Sequence, residues 1–153
     1  MDDEMQAKKT TCFSYFAICN RGEIRPNIGF VAEENSGFDP EEFTRLLGIV
    51  PFASNRLGTL RPNGHGVWPF SCWSACKQSE PRLDAEAQCL SIVRTLQDKI
   101  PILLQIKQKY AVDFSLIIVP EIENGETPVL CFSQRIIDFC HATGTEIGID
   151  LYA

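Results

Sequence analysis

Residues 38–51, FDPEEFTRLLGIVP, specify a short helix from cap to stop. Asp39 is placed to cap the first turn. Pro40 follows at the first helical position, where its missing N–H costs nothing. Glu42 stands three residues after the cap, as a capping box requires, and Glu41 adds charge that suits a helix N-terminus. Phe38 and Phe43 occupy the two positions of a hydrophobic staple. Gly48 predicts a left-handed stop, and Pro51 prevents a restart. Phe43, Leu46 and Leu47 give the helix one apolar stripe. A helix of about two turns is marginal alone. The rest of the chain must therefore supply a larger surface for it to dock on.

The flanking segments read as that surface. Residues 12–19, CFSYFAIC, are apolar on both faces and predict a buried strand. Residues 20–37 form a long connection in which 28–32 extend as a short ribbon. Residues 49–60 are extended, and RPNGHG at 61–66 marks a tight reversal. Residues 67–77, VWPFSCWSACK, predict a strand. Counted by twos, Trp68, Phe70, Cys72 and Cys76 share one face, and Val67, Trp73 and Ala75 the other. Pro69 marks this strand as an edge or a bulge. Residues 83–110 carry one helical stripe through Cys89, Val93, Leu96, Ile100 and Leu103. Pro101 breaks it, and Asp98 is placed to cap the second piece.

Residues 112–120 form a strand with Val112, Phe114, Leu116 and Ile118 inward. The Asn124-Gly125 turn then leads to a partner strand at 127–132. Ser133 caps a helix to about residue 142, which Gly144 ends. Residues 145–152 close the chain as a strand with Ile147, Ile149 and Leu151 on one face and Glu146, Gly148 and Asp150 on the other. The whole predicts a polar tail at 1–10 and a single α+β domain at 11–153. Its sheet is mostly antiparallel with helices packed on one face, a sandwich related to the ferredoxin-like arrangement.

Composition narrows the function. The 153 residues suit one domain with a real core. A net charge of −6 argues against a nucleic-acid partner and fits a protein partner with a basic surface, although many soluble proteins are this acidic. No run reaches the ~18 apolar residues that span a membrane. The opening MDDEMQAKKTTCF lacks the apolar segment of an export signal, so a reduced cytoplasmic protein is expected. Its seven cysteines then read as packed thiols rather than disulfides.

Catalytic constellations are not evident. Cys72 and Cys76 on one strand stand about 13 Å apart, too far for a shared metal. Cys140 and His141, adjacent on a helix, point about 100° apart and make no nucleophile–base pair. Gly58, Gly64 and Gly66 open no helix and form no phosphate cradle. Neither catalytic residues, metal nor cofactor are expected.

Two features suit binding. One is the acidic zone of Glu33, Glu34, Asp39, Glu41 and Glu42, with a solvated helix start and loop as its plain alternative. The other is the aromatic pair Trp68 and Trp73. One of these would stand exposed as an interface anchor if the strand is an edge, and both would be core otherwise. Asp150 points away from the core and is placed to accept a bond from an Arg or Trp.

The words FDPEEFTRLLGIVP, NRLGT leading to GVWPFSCWS, the long helix from Leu83 and the closing GTEIGIDLYA, in that order, resemble the bacterial family called domain of unknown function 4279. The resemblance implies a small cytoplasmic bacterial protein and transfers no catalytic motif. The resulting expectation is a non-catalytic binding protein, in its most specific form an immunity protein that neutralises a bacterial toxin by direct contact. The alternative is a small-molecule-sensing or regulatory module with a pocket between the long helix and the sheet.

Overall fold

The computed structural model describes residues 7–153. The first strand, β1 (Thr11–Asn20), is the centre of a five-stranded sheet. β1 pairs antiparallel with β5 (Cys72–Gln78) on one side and with β6 (Val112–Glu121) on the other. Beyond β5 lies the short antiparallel edge β4 (Ala53–Asn55). Beyond β6 lies β7 (Thr145–Ile149), the one parallel neighbour. A parallel return needs a crossover, and α4 (Gln134–Thr143) supplies it. β2 (Gly22–Arg25) and β3 (Gly29–Ala32) form a separate two-stranded ribbon.

All the helices bury their apolar residues in one cluster, on the sheet face that carries Phe16, Ile18, Trp73, Phe114, Leu116 and Ile118. They are α1 (Pro40–Leu47), α2 (Ala85–Leu96), α3 (Ile100–Lys109) and α4. The α+β architecture with a mostly antiparallel sheet and helices on one face is the expected one. Among the described residues no helix covers the other face, which carries Phe13, Tyr15, Ser74 and Ile117.

Local chemistry explains the elements. Asp39 accepts a bond from the Glu41 N–H, and Gly48 ends α1 in the left-handed region with φ 66°. The Phe38 and Phe43 rings pack with centroids 4.5 Å apart. Half of the expected capping box is missing, because the Glu42 carboxylate turns to Arg45. The long tract breaks where Pro101 requires it, with a tight turn at Gln97–Lys99 between α2 and α3. Asp98 does not cap the second piece; Lys99 holds that position without a side-chain bond. Ser133 stands at the cap position of α4, but its hydroxyl makes no capping bond.

Gln88 is fully buried on α2 and ties three segments together. Its amide donates to the Cys12 carbonyl at 2.8 Å and the Pro81 carbonyl at 3.0 Å, while its oxygen accepts from the Ser14 hydroxyl at 2.8 Å. No group in this buried set lacks a partner, which is the condition for a polar network in a core.

Several expectations need correction. Thr10 belongs to the domain, being buried and bonded through its hydroxyl to the backbone at Glu123 and Glu126. The rest of the expected tail lies partly outside the described residues. Residues 127–132 are not a partner strand for β6; Val129 pairs instead with Asp84 at the entrance to α2. The strand expected at 67–77 begins only at Cys72. Trp68 exchanges backbone bonds with Gly58 and Thr59 and belongs to the preceding loop. Cys19 and Cys72, directly opposite across β1 and β5 with Cα atoms 4.3 Å apart, are joined as a disulfide rather than packed as thiols. The space between the long helix and the sheet is filled by Cys89, Ile92, Val93 and Leu96, all fully buried. It holds core rather than the expected pocket.

Parity fails inside β5. The register runs Phe16 against Ala75 but Ser14 against Gln78, so β5 spends three residues where β1 spends two. This is a β-bulge. Its centre is Cys76, whose φ of 59° lies in the left-handed region that glycine favours. Without the bulge Lys77 would follow Trp73 and Ala75 toward the core. With it, Cys76 packs against the core and Lys77 emerges on the open face.

Candidate functional site

Two surfaces gather unusual side chains. The first is a lobe at one end of the sheet, made from the β2–β3 ribbon and the loop at 56–71. Asn20, buried at the end of β1, holds both parts. Its side chain donates to Ser36, which closes the ribbon segment, and accepts from the Ser71 N–H, which closes the loop. The loop folds back at 61–66 as its Asn-Gly pair predicts, with Leu60 opposite Val67. An aromatic brace joins the halves, with Phe30 5.7 Å from Phe70, Phe70 5.9 Å from Trp68, and the Arg61 guanidinium 5.2 Å from the Trp68 ring centre.

The lobe leaves large aliphatic groups in solvent. Ile24 is 83% exposed, Ile28 70%, Leu60 74% and Val67 50%. Single exposed aliphatic residues are ordinary, but four on one braced lobe are a candidate contact surface. Carboxylates flank them. Glu33 and Glu34 line a groove of about 320 Å³ beside the ribbon with Glu23 and Arg25. Asp39 and Glu41 line a second groove, of about 580 Å³, with Leu60 and Trp68. Arg56 pairs with Asp39 at 3.6 Å.

The second surface is a trough of about 510 Å³ on the helix-free face. Phe13 and Tyr15 stack with centroids 6.1 Å apart, and Phe52 meets Tyr15 edge-on at 5.3 Å. The Lys77 ammonium sits 4.4 Å from the Phe13 ring centre and 5.4 Å from that of Phe52, in cation–π range of both. Glu121, Asp150 and Tyr152 also line the trough. The Tyr152 hydroxyl donates to Asp150 at 3.3 Å. This hydroxyl is the partner of Asp150, in place of the expected Arg or Trp. Burial, with Asp150 and Tyr152 nearby, raises the Tyr15 hydroxyl above its ordinary pKa. Asp150 does the same to Tyr152.

Other groups are quieter. Burial pushes the Cys76 thiol up to about 11 and Cys89 up to about 12, which keeps both protonated and poorly nucleophilic. Among the described residues no three His, Cys, Asp or Glu side chains are grouped to hold a metal. No helix among them is long and apolar enough to cross a membrane.

A profile of the family described as Domain of unknown function (DUF4279) matches residues 10–153. The chain belongs to that family. No curated protein and no solved structure gives a significant match. The DUF4279 match begins at Thr10, the first buried residue among those described.

The expected binding residues divide. Trp68 falls on the lobe, and Glu33, Glu34, Asp39 and Glu41 line the two grooves beside it, although Asp39 and Glu41 also serve the start of α1. Glu42 is engaged by Arg45. Trp73 is not on the surface. It is 0% exposed and its indole N–H donates to the Thr44 hydroxyl at 3.0 Å, locking α1 to β5. β5 is covered on both sides, by β4 and β1, so the edge placement that would expose Trp73 does not arise. Sequence reasoning missed the trough. Its available signal was the alternation that puts Phe13 and Tyr15 on the face opposite Phe16 and Ile18. Alternation says which residues share a face, but not which face the helices leave open.

Proposed function

We propose that this DUF4279 protein is a non-catalytic binding protein whose partner is a protein with a basic surface. In its most specific form it is an immunity protein that covers and so neutralises a bacterial toxin. The observation that carries this reading is the lobe, with its aliphatic groups raised on an aromatic brace and flanked by carboxylates. Apolar contacts with buried aromatic support supply affinity. Surrounding acidic charge supplies steering and orientation toward a basic partner. The net charge of −6 has the matching sign. Cytoplasmic residence belongs to this reading.

The test is growth rescue. A toxin encoded beside this protein is expressed in a bacterial host with wild-type protein or with the double variant Ile24→Asp and Leu60→Asp. Both positions are exposed, so the variant should keep its melting temperature. The reading expects rescue by wild type and its loss in the variant. Failure of wild type to rescue against such toxins would contradict it, as would equal rescue by both.

A further inference from the structure

The helix-free trough is separate from the lobe and carries its own chemical pattern. Its walls are aromatic, with Tyr15 in contact with both Phe13 and Phe52. Lys77 supplies a cation on one side. It has no carboxylate within salt-bridge distance among the described residues. Asp150 and Glu121 supply anions, and among the described residues neither is paired with a cation. The bulge at Cys76 is what puts Lys77 there, since regular pairing would turn it toward the core. A volume of about 510 Å³ lies in the range of small-molecule sites.

From this charge pattern we infer that the trough binds a small zwitterion with an apolar middle, of short-peptide size. The ligand's carboxylate is received by Lys77. Its ammonium is received by Asp150 and Glu121, with the Tyr15 hydroxyl beside it. Its apolar side chains lie against Phe13, Tyr15 and Phe52. A simple anion would leave two carboxylates unanswered, and a simple cation would meet the Lys77 ammonium. A ligand carrying both charges satisfies each side.

The test uses the full chain, isotope-labelled, titrated with the dipeptide phenylalanyl-leucine and followed by NMR. The expected result is a dissociation constant of about 0.1–1 mM, weak but specific, with shifts centred on Phe13, Tyr15, Phe52 and Lys77. Acetylating the peptide's amine should weaken binding to wild type about tenfold, as should amidating its carboxylate, because each removes a charge-assisted bond. The acetylated peptide should lose nothing further on Asp150→Asn combined with Glu121→Gln, nor the amidated peptide on Lys77→Met. Free phenylalanine binding as tightly as the dipeptide would identify an amino acid as the source. A tighter dipeptide would identify a peptide. Either supports the shared chemistry. Absence of shifts at about 5 mM would overturn the inference. So would indifference to blocking either terminus, or shifts confined to residues 56–68. If a variant unfolds, the blocked peptides on wild type still decide. The lobe takes no part in this titration, so its outcome is independent of growth rescue.

Discussion

Replacing Trp73 with phenylalanine tests whether this tryptophan is structural. The indole is fully buried, and its N–H meets the Thr44 hydroxyl at 3.0 Å. The substitution removes several ring atoms from the core, a transfer loss of about 1 kcal/mol. A residual cavity of about 40 Å³ adds about 1 kcal/mol more. Thr44 loses its donor, but it is only half-buried and can turn to water, so that loss is about 0.5–1 kcal/mol. The total is about 2–3 kcal/mol, or roughly 5–10 °C in Tm for a chain of this size. Urea unfolding followed by far-ultraviolet circular dichroism measures it, with an unchanged m-value as the check that the end states are the same. Trp68→Phe, on the half-buried loop, should cost less than about 1 kcal/mol. A Trp73→Phe loss below about 0.5 kcal/mol, or a Trp68→Phe loss exceeding it, would refute the placement.

Three further outcomes follow from the sheet. At Cys76 the left-handed backbone should make Cys76→Val costly by about 2 kcal/mol and Cys76→Gly the best tolerated of the two, read by the same urea titration; a valine variant as stable as wild type would contradict the bulge. Alkaline pH should destabilise the protein, because burial raises the Cys76 and Cys89 thiols to about 11 and about 12 in the folded state. An unfolded thiol ionises near pH ~8.5, so their contribution is complete below that and is lost as pH rises through the folded values; melting scans from pH 8 to 11 should show a falling Tm that Cys89→Ala makes shallower. Counting thiols in denatured, unreduced protein should return five of the seven cysteines, whereas seven would show Cys19 and Cys72 as thiols.

What could be read from the chain follows the range of the forces involved. Helix α1 was readable because Asp39, Phe38, Phe43 and Gly48 act within a few residues of one another. The break before Pro101 is equally local. Residues 127–132 were misread because Val129 finds its backbone partner at Asp84, far away in the chain. Whether Trp73 is anchor or core depends on which strand lies beside β5, and no local signal gives that neighbour. Parity counting failed at Cys76, where one extra residue reverses Lys77. Asn20 gave no local hint that it would hold Ser36 and Ser71 together. The acidic half of the lobe was visible as composition, whereas the exposed Ile24 and Leu60 became conspicuous only once the core was assembled without them.

Hydrogen–deuterium exchange of the protein with and without a bound basic protein partner locates the contact surface. Protection is expected in residues 22–33 and 57–68, with α2, α3 and α4 unchanged. Protection on those helices, with the lobe exchanging as freely as before, would contradict this placement.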